Sequence, residues 1–347
     1  MKNRKREICT SGSVRDEDGQ PPHLLGRRNF LHLAAGAAAL PAVSRVARAQ
    51  AYPSRPVRII VTTAAGSTTD VHGRLHGHWL SERLGQPFIV ENRSGGATTL
   101  GAAEAIRSRP DGHTLFLLGI SHTTTPSLYD KLPYNIVHDT SPIALLYQAN
   151  YVMVVNPLLP VTSVAGFIAY AKANPGKVNI GSPGVGSIGH LAGELFKSMT
   201  GIQMVHVPYR SVALALADVV SGQLHVQFAT STDSIPQIRG GQVRALAVSS
   251  TTRLRALPDV PTVAEYLPDY AFDSWLGIAG PKNIPAEIVE VLNREINASL
   301  ARPAIKVKYD DLGLRIHAAS PAEFGKLVAD DTEKWGKVIR AANIKLQ

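Results

Sequence analysis

Short apolar runs of strand length alternate with stretches of helix length through most of this 347-residue chain, and no other feature restricts its fold as much. Val57-Arg58-Ile59-Ile60-Val61, Phe88-Ile89-Val90-Glu91 and residues 114–118 read as strands, with helices expected over 70–84 and 99–107. A second series follows: helix 163–173, strand 178–181, helix 187–199, strand 203–207, helix 211–221, and strands 224–228 and 243–248. Strand 272–279 and helices 285–300 and 321–341 close the chain. In helix 285–300, Ile288, Val291, Leu292, Ile296 and Leu300 recur at helical spacing and mark one buried face. Such β-α alternation places the chain in the α/β class, with a parallel sheet covered by helices on both faces. Residues 143–155 form one long β-rich stretch that can cross between two such units.

The N-terminus changes every count of charge. Residues 1–28 are polar and basic and end in Arg27-Arg28; an apolar run from Phe30 to Leu40 follows, then Ala47-Arg48-Ala49. A charged segment, a short apolar core and a small-x-small site form an export signal. The apolar run falls short of the roughly 20 residues a membrane span needs. Gly26-Arg27-Arg28-Asn29-Phe30-Leu31-His32 resembles a twin-arginine motif. Cleavage is expected near Ala49, releasing a free periplasmic protein. It removes nine basic and four acidic side chains, which lowers the formal charge from +9 to +4 and weakens any case for nucleic-acid binding. It also removes Cys9, the only cysteine, so the mature chain has neither a disulfide nor a thiol nucleophile.

Two loops rich in glycine and hydroxyl groups each follow a strand and open a helix: Thr62 to Asp70, and Gly181 to His190. A helix N-terminus carries unpaired amides and a positive dipole end, so it binds anions without arginine. Open α/β sheets bind ligands at the carboxyl ends of their strands, where both loops belong. Ordinary turn and cap chemistry explains either loop alone; two at matching places favour a ligand held between them. The ligand-binding candidates are Ala65, Gly66, Ser67, Thr68, Thr69, Asp70, Ser121, Gly181, Ser182, Gly186, Ser187, His190, Tyr209 and Arg210. Asp70 is expected not to face a carboxylate, but to cap its own helix or to accept from an amino group or water of the ligand site. Arg210 is a candidate for a second, distal carboxylate.

Competing chemistries find less support. Gly184-x-Gly186-x-x-Gly189 fits a dinucleotide fingerprint, but the next strand ends in His206-Val207-Pro208-Tyr209-Arg210 rather than in an acidic residue. Ile180 and Val185 rule out a nucleophile elbow at Ser182 or Ser187. His72 and His76 share a helix face, yet a third metal ligand is missing, and they read as surface histidines. No metal and no cofactor are expected. A periplasmic α/β enzyme or a cofactor-binding oxidoreductase stands as the alternative to a binding receptor.

The ordered set of short motifs resembles the solute receptors of tripartite tricarboxylate transporters, also called the Bug family. It comprises Tyr52-Pro53-Ser54-Arg55-Pro56, Ala64-Ala65-Gly66 with Asp70, Leu84-Gly85-Gln86-Pro87, Pro110-Asp111-Gly112, Leu132-Pro133-Tyr134, Ala173-Asn174-Pro175-Gly176, His190-Leu191-Ala192-Gly193-Glu194, His206-Val207-Pro208-Tyr209 and Pro261-Thr262-Val263-Ala264-Glu265. The resemblance implies a periplasmic-binding-protein fold of type II, two α/β lobes with the ligand in the cleft. It also implies that the two loops grip a ligand carboxylate through amides, hydroxyls and water. The implied ligands are di- and tricarboxylates, acidic amino acids or aromatic acids. The implied partners are a permease with a large and a small subunit, or a sensor kinase. The lobes are expected at 52–150 plus 273–347 and at 151–272, in a monomer. Ser67, the stretch from Ser94 to Thr99 and Arg210-Ser211 depart from the family pattern.

Overall fold

The computed structural model describes residues 52–345, so the expected export signal lies outside the described residues. One mixed sheet has the order β11-β4-β10-β3-β1-β2. Its strands are β1 (Val57–Val61), β2 (Phe88–Asn92), β3 (Thr114–Gly119), β4 (Thr140–Ala149), β10 (Ser274–Pro281) and β11 (Leu314–Arg315). The second sheet has the order β7-β6-β8-β5-β9. It is built from β5 (Tyr151–Val155), β6 (Val178–Ser182), β7 (Met204–Pro208), β8 (Val226–Thr230) and β9 (Arg244–Val248). The helices are α1 (Thr68–Leu84), α2 (Thr99–Ile106), α3 (Ser121–Leu128), α4 (Val164–Ala173), α5 (Ile188–Thr200), α6 (Val212–Ser221), α7 (Ser231–Arg239), α8 (Ala286–Leu300), α9 (Pro303–Asp311) and α10 (Pro321–Ala341).

The expectation of parallel sheets needs correction. β1, β2 and β3 run parallel, as do β6, β7 and β8, but β10 is antiparallel to both β3 and β4. β5 is likewise antiparallel to β8 and β9. The chain passes from one sheet to the other after β4 and returns into β10, so the entering strand meets its neighbours head to tail. Both strands are buried nearly throughout and present the continuous apolar run of a parallel strand. Direction therefore leaves no trace in their sequences. The stretch read as one at 143–155 breaks at Asn150.

Three apolar clusters hold these layers. Val57, Ile59, Leu117 and Ile278 of the first sheet pack with Leu292 and Ile296 of α8 and Tyr309 of α9. Val152 and Ala229 of the second sheet pack with Leu216 and Val219 of α6 and Ile235 of α7. The third cluster is shared: Phe116 and Leu118 from one sheet, Phe228 from the other, Phe196 of α5 and Trp335 of α10. Helix ends are set locally. Ser67 and Ser187 cap α1 and α5 with their side chains, and Gly85 and Gly201 end them in the left-handed region at φ 72° and 69°.

His72 and His76 are not surface residues. His72 Nδ1 lies 2.8 Å and His76 Nε2 3.1 Å from the Tyr309 hydroxyl, and His76 is fully buried. Helix α1 packs this face inward, and Gly73 and Gly77 let it sit close on Val61 and Phe88. Histidines where apolar residues would mark the buried face hide that face from a periodicity reading.

Candidate functional site

The two loops close with the same local geometry. Gly66 at φ 79° precedes Ser67 at φ −68° and ψ 160°; Gly186 at φ 76° precedes Ser187 at φ −67° and ψ 156°. Each serine amide donates to a carbonyl three residues back, Ala64 or Gly184, at 3.3 Å. Each serine Oγ accepts from the amide three residues on, Asp70 or His190, also at 3.3 Å. Each glycine amide donates to the side chain four residues on: Gly66 to Asp70 Oδ2 at 2.9 Å, and Gly186 to His190 Nδ1 at 3.1 Å. Thr68 and Thr69, like Ile188 and Gly189, occupy first-turn positions whose amides have no intrahelical acceptor. Those amides and the positive helix ends can receive an anion.

Asp70 is buried and its oxygens are committed. They accept from Gly66, from Arg74 Nε at 3.1 Å and from Asn92 Nδ2 at 2.9 Å. The Arg74 guanidinium, aided by Gly66 and Asn92, holds the carboxyl below its ordinary range against the opposing effect of burial. Asp70 thus braces its own loop.

Behind the second loop lies a denser network. The His190 and His206 rings stack at 3.8 Å, His190 Nε2 lies 3.5 Å from Glu194 Oε1, and Lys197 Nζ donates to the same oxygen at 2.8 Å. Burial pushes the Glu194 carboxyl up, but hydrogen bonds from His190 and Lys197 outweigh it and bring it down to about 2. Burial, with the positive fields of His190 and Lys197, lowers His206 to about 4. Its Nε2 sits 2.6 Å from Ser182 Oγ.

A cavity of about 240 Å³ opens between α3 and the second loop, lined by Thr98, Ser121, Thr124, Thr125, Leu128, Pro183, Val185, Gly186 and Ser187. No charged side chain lines it. Thr124 and Thr125 donate their hydroxyl protons to the carbonyls of Ser121 and His122, so they turn only lone pairs to other partners. Leu128 approaches Gly186 so closely that a Cβ there would meet Leu128 Cδ1 at 2.5 Å. A larger hollow of about 550 Å³ between α5 and α10 includes Gly201 at the far end of α5, away from the strand carboxyl ends where both loops sit.

The candidates scatter around this cavity. Ser121, Gly186 and Ser187 line it. Gly181 and Ser182 lie buried beneath the loop, and His190 is buried behind it. Ala65, Gly66 and Thr68 are exposed and Ser67 and Thr69 half-buried, but none of the five lines the cavity. Tyr209 turns away, its hydroxyl donating to Asp218 Oδ2 at 2.5 Å. Arg210 is exposed just beyond the end of β7. Sequence reasoning missed Thr98, Thr124, Thr125 and Leu128. Helix α3, with three threonines and Pro126, carries little helix propensity. Its place directly after β3 was the signal available.

The comparisons fit this geometry. A family model described as "Tripartite tricarboxylate transporter family receptor" matches residues 74–344, beginning just past the first loop. Protein BugT of Bordetella pertussis is 33% identical over 305 residues, 86% of this chain and 93% of that protein. A solved structure described as that of a periplasmic transporter is 37% identical with a TM-score of 0.76, over 86% of this chain and 100% of that one. The R. palustris protein Rpa4515, solved with adipate, is 34% identical, also with a TM-score of 0.76, over 85% and 100%. A family match over most of the described residues and a relative 33% identical across nearly its whole length lead to one conclusion: the chain belongs to the tripartite tricarboxylate transporter receptor family.

Proposed function

We propose that this chain is an exported periplasmic receptor that captures a small carboxylate and delivers it to a permease with a large and a small subunit. The observation that carries the reading is the uncharged, hydroxyl-lined cavity at the N-terminus of α5, in a chain whose adipate-bound relative is similar along its whole length. The carboxylate docks on the first-turn amides of α5, in a turn that Ser187 shapes by donating its hydroxyl to the Gly184 carbonyl at 2.6 Å, and the matching turn at Ser67 closes on it from the other lobe. Charge-assisted hydrogen bonds of this kind contribute about 1.5–3 kcal/mol each. Residues 52–150 plus 273–347 form one lobe and residues 151–272 the other, in a monomer. They hinge at Asn150, between β4 of the first sheet and β5 of the second, and at Asp273, immediately before β10.

The Ser182–His206 contact does not favour an enzyme. Ser182 is fully buried and its hydroxyl donates to the Gly184 carbonyl at 3.0 Å, leaving no approach for an electrophile. A thermal-shift screen of carboxylic acids on residues 50–347 tests the reading. Adipate or another small di- or tricarboxylate should raise the melting temperature in a concentration-dependent way. No shift with any carboxylate would count against it.

A further inference from the structure

Thr98 stands out on the cavity wall for three reasons. It adopts φ 79°, a left-handed conformation that is an outlier for a β-branched residue. It immediately precedes α2, where a threonine ordinarily caps the helix, yet its side chain makes no capping hydrogen bond. Its Oγ1 is buried and has no hydrogen-bond partner among the described residues. Strain of this kind persists where the surroundings impose it and gathers at ligand clamps. A buried hydroxyl without a partner is uncommon and calls for one. Glycine would adopt this backbone without strain, so backbone geometry does not explain the threonine.

The cavity supplies the missing partner. Thr98 shares it with Ser187, which heads the proposed carboxylate anchor, while Thr124 and Thr125 have already committed their protons to backbone carbonyls. Thr98 lines the same cavity, and its buried Oγ1 has neither its proton nor its lone pairs committed among the described residues. We propose that Thr98 determines specificity: its hydroxyl receives a second polar group of the ligand, away from the carboxylate held at α5. The inference rests on the receptor reading and sharpens it. The site takes a small acid with a hydrogen-bonding group at each end, a dicarboxylic or hydroxy acid, in preference to a fatty monocarboxylic acid.

Calorimetry of wild type, Thr98→Val, Thr98→Gly and Thr98→Ser with adipate, malate and hexanoate tests it. The wild type should bind adipate or malate more tightly than hexanoate. Loss of one hydrogen bond should weaken diacid binding roughly tenfold in the valine and glycine variants. The serine variant should stay within about twofold of wild type, and hexanoate binding should not change by more than that. Thr98→Gly should also melt higher than wild type because it relieves the left-handed strain, so it carries the test if Thr98→Val fails to fold. Diacid binding unchanged in the valine or glycine variant would overturn the assignment, and so would an equal loss in the serine variant. Wild type binding hexanoate as tightly as the diacids would also overturn it. If the wild type binds none of the three acids while another carboxylate raises its melting temperature, this inference falls and the receptor reading stands; if no carboxylate does, both fall.

Discussion

The Gly186 amide donates to His190 Nδ1 four residues on, just as the Gly66 amide donates to Asp70 Oδ2 in the first loop. Both loops therefore use a side chain from the first turn of the following helix to fix the glycine, and both leave the next amides open. His190 accepts on Nδ1, which places its proton on Nε2, toward Glu194. Replacing His190 with alanine strands the Gly186 amide and should cost about 1–3 kcal/mol of stability with a parallel loss of affinity. Urea unfolding and calorimetry of the single variant check this. An unchanged midpoint and affinity would show that the loop holds its shape without the imidazole.

Gly186 and Leu128 define how closely the loop and α3 can meet. Alanine at 186 would carry a Cβ 2.5 Å from Leu128 Cδ1 and would strain a backbone at φ 76°. Overpacking and strain together should destabilise the protein by about 1–3 kcal/mol. Gly186→Ala with Leu128→Ala relieves the clash but not the strain, so the double variant should recover part of the loss. A double variant no better than the single would place the cost in the backbone alone.

Acid should destabilise the fold through its buried histidines. Burial lowers His72, His122 and His206 to about 4 and His76 to about 3, from an ordinary value of 6.5. Nearby positive charge adds to the effect at His72 through Lys308, at His76 through His72, and at His206 through His190 and Lys197. Because the folded values lie below the unfolded one, the unfolded chain binds more protons between them. Stability is then full above pH 6.5 and falls as the pH drops toward 4. Each group contributes on the order of 1–3 kcal/mol to that fall. Urea unfolding from pH 7.5 down to 4.5 should show the decline, and His72→Asn with His76→Gln should make it shallower, leaving the part due to His122 and His206. Constant stability down to pH 4.5 would contradict the assignment.

Asp273 joins the two strand crossings. It accepts from Asn150 Nδ2 and from Arg315, while burial raises its carboxyl against the opposing pull of Arg315 and Lys334. Asp273→Ala leaves Arg315 without its carboxylate and should destabilise by about 1–3 kcal/mol. If the crossings form a hinge, it should also broaden the solution scattering profile of the ligand-free protein. A profile and midpoint like wild type would place the hinge elsewhere.

Most strand positions were legible because strands such as Val57–Val61 and Val178–Ser182 are apolar runs bounded by turn residues. The helices over 231–239 and 303–311 were not: Pro236 interrupts the first, and the second shows no clear apolar face. Within the site, Gly186 and Ser187 were readable because a glycine and a capping serine after a strand have a local physical meaning. Thr98 and Leu128 reach the cavity only through tertiary packing, about 60 to 90 residues from the loop they face, and no local pattern carries that. Tyr209 was placed by resemblance, but its bond to Asp218 depends on where α6 packs.

Whether a helix N-terminus or an arginine holds the carboxylate is settled most directly by calorimetry of Ser187→Ala and Arg210→Ala against wild type, with adipate or whichever acid binds tightest in the screen. Ser187 lines the cavity and caps α5, whereas Arg210 is exposed beyond β7. Ser187→Ala should weaken binding about tenfold or more, and Arg210→Ala should leave it within about twofold. Wild-type affinity in Ser187→Ala together with abolished binding in Arg210→Ala would contradict the helix-terminus mechanism and establish an arginine clamp.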